Sequence, residues 1–335
     1  MNAQRIADRA FSPVMEAIDS RRIPGAVLGV VTASGERAVL WHGAAQIVPD
    51  RAVMERGTWF DLASLTKVIF TTTAILRLVE QGRIALDDKL TQAIPDLRQY
   101  DPAAPERQLT FRQCLAHQTH LPAVEPLYTH GQDPETLRAF VLQRVWPAGP
   151  PVYSDINFIL LGIAIERLTG RALGDQPLAV GFSFRPDPAL CAATENCTWR
   201  GRVLRGTVHD ENAHALGGAA GHAGLFGTVD AVLDFAHGLL SGSTLTPTSI
   251  AALRAPHGAT RTLGWERRHD GWTGGAACSE NTIGHTGFTG TGLWIDWTRG
   301  LAWTLLTNRV HPSRHVETGI QALRREVGER AVSSG

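Results

Sequence analysis

The chain has 335 residues, 43% of them hydrophobic and 19% charged, and its 32 basic residues balance 32 acidic ones. That length exceeds one ordinary single-core domain and supplies enough apolar material for a sizeable core. The charge balance excludes a net field that would recruit nucleic acid or an anionic membrane, and no apolar run reaches the ~18 residues a membrane span needs.

In chain order, residues 3–20 read as an amphipathic helix. Arg5, Asp8, Arg9, Glu16 and Asp19 leave no room there for the apolar core of an export signal, so a cytoplasmic location is expected. "GAVLGVVTASGERAVLWHGAA" reads as two strands joined at Ser34-Gly35. From Ser64 the period changes: Leu65, Val68, Ile69, Thr72, Ile75, Leu76 and Val79 share one face of a helix ending at Gly82. Further helices are predicted near 109–117, 134–145 and 154–169. The last, "INFILLGIAI", is apolar almost all round, which marks a buried helix.

Cys114, Cys191, Cys197 and Cys278 show no C-x-x-C spacing and are read as reduced thiols, Cys191 and Cys197 being the only pair close in sequence. The segment "HDENAHALGGAAGHAGLFGT" carries five glycines between 217 and 227. No lysine follows them, so tight backbone packing explains them better than a phosphate loop. A helix at 229–241, strands "TGLWIDW" and "LAWTLLTN" around Arg299-Gly300, and a helix at 315–327 complete the chain. Trp294, Trp297 and Trp303 alternate on those strands and are assigned to the core, with one of them free to floor an acyl pocket.

Strands thus lie at both ends with helices between them. The expected fold is α+β: one antiparallel sheet built from both termini and packed with helices, plus an inserted helical lobe. Residues 1–62 and 205–335 would form the sheet domain and 63–204 the mainly helical one, with an active site in the cleft between them.

Of the 32 basic residues only Lys67 and Lys89 are lysines. Lys67 stands one helical turn after Ser64, so both side chains can project to the same side. A serine hydroxyl is a poor nucleophile until a base takes its proton. Lysine can be that base if desolvation and the helix N-terminus lower its pKa, whereas arginine effectively never deprotonates. Ser64 as a plain N-cap is the ordinary alternative. The histidines His117/His120 and His209/His214/His222 group loosely but match no metal-ligand spacing, and no G-x-S-x-G elbow occurs. No metal or cofactor is expected.

Tyr153 opens "YSDINF", and "GHTGFTG" (284–290) immediately precedes the strand "TGLWIDW". The order S-x-x-K, then Y-x-N/D, then [K/H]-T-G near the C-terminus resembles the penicillin-recognising serine hydrolases: class C β-lactamases, D,D-peptidases and related esterases. "LAHQTHLP" and "VHDENAHALGG" extend the resemblance over almost the whole chain.

The resemblance implies Ser64 as nucleophile, Lys67 as its activating amine and Tyr153 as proton shuttle. It also implies an oxyanion hole from the Ser64 and Phe288 backbone N–H groups, with Asp155, His285, Thr286 and Gly287 binding substrate. The chain has no E-x-x-x-N, so Tyr153 and Lys67 must serve both half-reactions.

Three departures bear on substrate. His285 replaces lysine in the third motif, and its charge fades above an imidazole's ordinary range unless Asp155 sustains it. Asp155 replaces asparagine and cannot donate to a substrate carbonyl, and Asn157 lies off its helix face. His120 stands where the family has glycine. The first two tilt the expectation toward small acyl esters, away from β-lactams and D-amino-acid amides. A slow penicillin-binding sensor or scaffold of the same fold is the alternative. The oligomeric state is not legible.

Overall fold

Gly25–Thr32 and Arg37–Gln46 pair antiparallel around the Ser34-Gly35 turn, where Gly35 adopts a φ of 87°. On its other edge the first strand pairs with Leu301–Thr307, Ala26 opposite Thr307. The two ends of the chain therefore meet in the middle of one sheet. Its seven strands run in the order Ala52–Val53, Arg37–Gln46, Gly25–Thr32, Leu301–Thr307, Gly292–Asp296, Thr282–Thr286, Glu266–Arg267, and every neighbouring pair is antiparallel. The computed structural model describes residues 2–333.

Successive side chains on a strand point to opposite faces, so this sheet has two different coverings. Leu28, Val30, Trp294 and Trp303 pack with the helices Ala3–Asp19 and Ile320–Val332. Val27, Val31, Leu293, Ile295 and Leu306 turn the other way, toward the helix Val229–Ser241 and the large interior behind it. Trp294 and Trp303, directly paired in register, stack with ring centroids 5.9 Å apart. They lie on the outer layer, and Trp297 packs beside the Arg254 guanidinium, so none of the three floors a substrate pocket.

The closing helix begins at Ile320, five residues later than the periodicity suggests. Gly319 is left-handed (φ 66°) and its N–H donates to the Glu317 carboxylate, a local bond that competes with a helical turn upstream of it.

The helix Asp155–Thr169 buries every residue from Ile156 to Ile165, as its apolar circumference predicts. Burying each large aliphatic side chain contributes roughly 1.5–3 kcal/mol. Gly221 approaches this helix so closely that a Cβ there would lie 2.0 Å from the Phe158 carbonyl oxygen. Part of the glycine-rich segment is therefore a packing surface. Short strands at Phe60–Asp61, Phe226–Gly227 and Phe182–Ser183 form a small sheet that leads the chain into Ser64. All four cysteines are buried free thiols. Among the described residues, no helix is long and apolar enough to cross a membrane.

Candidate active site

The approach to Ser64 is a strained turn. Ala63 has a φ of 47°, a conformation costing an L-residue roughly 1–2 kcal/mol. The buried Asp61 carboxylate holds it, accepting from the Ala63 N–H at 2.9 Å and from the His209 N–H at 2.6 Å. The helix after Ser64 is not uniformly α-helical. Lys67–Thr72 is a π-helical turn, followed by α-helix over Thr73–Glu80. Hydroxyls of Thr72 and Thr73 donate to the carbonyls of Lys67 and Val68, one residue further back than an α-helical bond would reach. This local competition for carbonyls widens the turn that carries Lys67.

Lys67 is fully buried; its ammonium donates to Ser64 Oγ at 2.9 Å and the His222 carbonyl at 3.3 Å, and it pairs with the Asp155 carboxylate, Oδ1 lying 2.7 Å away. The same nitrogen lies 4.9 Å from the centre of the Tyr153 ring. Burial works against its charge, but Asp155 and then Tyr153 outweigh burial and push it up to about 12. That direction runs against the expectation that desolvation lowers Lys67 toward a free amine. In the resting site it is a cation that donates to Ser64.

His285 also departs from expectation. It is buried, and burial followed by the nearby charges of Arg261 and Lys67 holds it well below an imidazole's usual range. Asp155 does not sustain a cation here. His285 Nδ1 faces the Thr286 carbonyl at 2.9 Å, so that nitrogen carries the proton and Nε2 presents a lone pair. The third motif thus places a neutral imidazole, not a cation, in the cleft wall.

Opposite Lys67, the turn between Thr282–Thr286 and Gly292–Asp296 is sewn to the segment before Ser64. Thr289 Oγ1 donates to the Asp61 carbonyl at 2.7 Å and Thr291 Oγ1 to the Leu62 carbonyl at 3.0 Å. A Cβ at Gly287 would meet Thr291 Oγ1 at 2.1 Å and the Leu62 oxygen at 2.5 Å, so only glycine permits this approach. Ser64, Tyr153, Asp155, His285, Thr286, Gly287 and Phe288 all line one cleft of about 840 Å³. Among the described residues, the Ser64 and Phe288 amides have no internal acceptor. Asn157 is buried and turned away, accepting from Thr119 Oγ1 at 2.8 Å.

The family model described as Beta-lactamase matches residues 7–326. The chain belongs to the Beta-lactamase family. It is 30% identical to an N-acetylmuramyl-L-alanine amidase of Bacillus subtilis, an alignment covering 90% of this chain and 81% of that one. Among solved structures it resembles EstCE1, a hydrolase with promiscuous acyltransferase activity, at a TM-score of 0.77 and 21% identity, covering 99% of both chains. A class C β-lactamase from Rhodobacter sphaeroides superimposes with a TM-score of 0.73 at 18% identity, over 96% of this chain and 98% of that one. These two likenesses concern the fold. Membership makes the chain a serine hydrolase with a β-lactamase-like fold.

This β-lactamase-family cleft also holds Asp210, a residue that sequence reasoning did not single out. Asp210 accepts from the His222 ring at 2.9 Å and from the Ala213 N–H at 2.7 Å. Burial opposes its charge, but His222, that amide and Lys67 hold it well below the usual carboxylate range. Asp155, Asp210 and His222 are the one group of three potential metal ligands among the described residues. The Lys67 ammonium stands at this group, touching Asp155 and the His222 carbonyl. The other grouped histidines are apart: His209 meets Glu195 at 3.2 Å, and His214 sits edge-on to Trp199.

His117 has a φ of 55°, accepts from the Ser154 N–H at 3.0 Å and lies 4.6 Å from the Tyr153 ring, centre to centre. His120, at the position left without a role, faces the buried Glu106 at 3.5 Å, which Arg98 also approaches. The spacing of "LAHQTHLP" marked the segment, but only folding shows which histidine meets Tyr153.

Proposed function

We propose that this protein hydrolyses small acyl esters or related amides through an acyl-enzyme on Ser64. The observation that carries the reading is the buried Lys67 ammonium, which donates to Ser64 Oγ from beneath a cleft it shares with Tyr153. An ammonium cannot accept the Ser64 proton. Tyr153, beside that cation, is the base that takes it while Oγ attacks the acyl carbon. The developing oxyanion is received by the Ser64 and Phe288 amides, two fixed donors of the kind that contribute strongly to acyl transfer. Tyr153 then passes its proton to the leaving group, and the ester formed on Oγ is the intermediate. In the second half-reaction Tyr153 accepts a proton from water and returns one to Ser64 Oγ. Each half-reaction returns Tyr153 and Lys67 to their starting states, so the protons balance.

Asp155 keeps Lys67 charged in this scheme and is not a donor to substrate. In this reading the sheet lobe supplies the 285–288 edge, and the helical lobe, 63–204, supplies Ser64, Lys67, Tyr153 and Asp155. The relative that is named as an amidase supports amide as well as ester substrates.

A serine-directed fluorophosphonate tests the assignment. It is expected to add its mass once, on the peptide carrying Ser64, and not at all to Ser64→Ala. Labelling that persists in Ser64→Ala refutes the nucleophile. Burst kinetics test turnover: one equivalent of product with no steady state refutes hydrolysis and indicates a slow acyl-binding protein instead.

A further inference from the structure

The peptide that joins Gly287 to Phe288 has two polar ends. Its N–H belongs to Phe288, which lines the cleft, and has no internal acceptor among the described residues. Its C=O belongs to Gly287 and is held from behind. Arg324 Nη2 donates to that oxygen at 2.7 Å and to the Thr291 carbonyl, also at 2.7 Å. A trans peptide carries N–H and C=O on opposite edges of one plane, so fixing the oxygen fixes the direction of the amide. A hydrogen bond to the carbonyl also polarises the peptide and strengthens its N–H as a donor, more so when the incoming group is charged.

A cation is a costly choice for holding two carbonyls. Arg324, on the helix Ile320–Val332, is 2% exposed, and among the described residues it forms no ion pair. Burial, and then the charge of Arg309, work against its own. Its remaining contact is neutral, Gln321 Oε1 at 3.3 Å, and its Nε has no partner. An uncompensated buried charge costs stability. The carbonyls do not require it either. The Gly287 oxygen also accepts from the Gly290 N–H at 3.1 Å, and the Thr291 oxygen from the Gly287 N–H at 2.8 Å. The partner this charge lacks is the negative charge that develops on the substrate oxygen in front of the Phe288 amide. The other donor is backed by a neutral group: the Ala63 carbonyl, in the same peptide as the Ser64 N–H, accepts from Thr66 Oγ1 at 2.6 Å.

We infer that Arg324 is a positioning residue for acyl transfer, aiming and polarising the Phe288 amide through the Gly287–Phe288 peptide. The inference rests on the proposed Ser64 reaction and adds a residue to it.

The test compares kcat/KM for p-nitrophenyl acetate with that for p-nitrophenyl thionoacetate, whose carbonyl sulfur accepts hydrogen bonds poorly. Both esters are uncharged, and rates are expressed per site titrated with fluorophosphonate, so unfolded protein does not enter. Arg324→Met is expected to fold, because both carbonyls keep their backbone donors and a buried charge is removed. Arg324→Gln is the polar companion. In both variants the oxygen ester should slow about ten- to hundredfold, less than the loss of a whole oxyanion donor. The thiono ester should slow by less than about threefold, so the oxygen-to-sulfur ratio falls, and Arg324→Lys should restore most of it. A purely structural role slows both esters alike and leaves the ratio within twofold of wild type, which overturns the inference. A ratio in Arg324→Lys as low as in Arg324→Met also overturns it, because the charge is then not what acts. Failure of the underlying reaction is separate: it is undiminished turnover of p-nitrophenyl acetate by Ser64→Ala.

Discussion

Asp155→Asn distinguishes a lysine that must stay charged from one that must lose its proton. Asp155 Oδ1 is 2.7 Å from Lys67 Nζ, with the lysine fully buried and the carboxylate 17% exposed. At an effective dielectric of about 20, that separation gives an attraction of about 6 kcal/mol. The asparagine oxygen still accepts from the ammonium and returns about 1.5–3 kcal/mol. The net loss of about 3–4.5 kcal/mol corresponds to a downward move of about two to three pH units.

From about 12 in the wild type, Lys67 should then titrate near pH 9–10 in the variant. The sign follows from the raised value. The stabilising charge is fully present below a free lysine's range and is lost as pH rises through the folded value. If Lys67 works as a cation, kcat/KM for a p-nitrophenyl ester in Asp155→Asn should fall on an alkaline limb near pH 9–10 that the wild type lacks. A profile that instead rises through pH 8–10 would show that the free amine is the active form. No change up to pH 10 would show that Asp155 does not hold the proton. Either result refutes the reasoning.

Lys67→Arg keeps the charge, but a planar fork cannot aim at Asp155, Ser64 and the His222 carbonyl from a fully buried position. A loss of about 10²-fold or more in kcat is expected, close to that of Lys67→Ala, and retained activity would reduce Lys67 to a space-filling cation. Gly287→Ala drives a methyl into Thr291 Oγ1 and the Leu62 carbonyl, so thermal melting should drop by about 1–3 kcal/mol of stability and activity should fall with it. His117 and His285 are both held neutral by burial, with Arg261 and Lys67 adding to it. Their contribution is complete above an imidazole's ordinary range near ~6.5 and is lost as pH falls below it, by up to about 1.4 kcal/mol per pH unit for each ring. Denaturation midpoints measured from pH 7 to 5 should therefore fall, and His285→Gln should flatten the slope. An unchanged slope would mean that this imidazole is already charged in the native state.

The sequence by itself determined whatever depends on short spacing. Ser64 and Lys67 share a side because they are one turn apart, and the structure brings them to 2.9 Å. The hairpin at Ser34-Gly35, the helix from Asp155 with its buried stretch Ile156–Ile165 and the antiparallel sheet joining both ends are likewise legible from periods of two or 3.6 residues and from turn residues. Periodicity also places Trp294 and Trp303 on strands as core residues, yet it does not say which covering they face. That was decided by the packing of the first and last helices on one side of the sheet.

The π-helical turn at Lys67 was hidden for a related reason: threonine hydroxyls compete with the backbone for carbonyls whose position depends on the folded turn. Only the tertiary structure decided the charges of the site. Lys67 is a cation and His285 is not, because Asp155 and Tyr153 stand against the first while Arg261 and Lys67 stand near the second. Residue types and local spacing determine which groups can titrate. Burial, and the charges that distant parts of the chain bring within a few ångströms, determine which of them do.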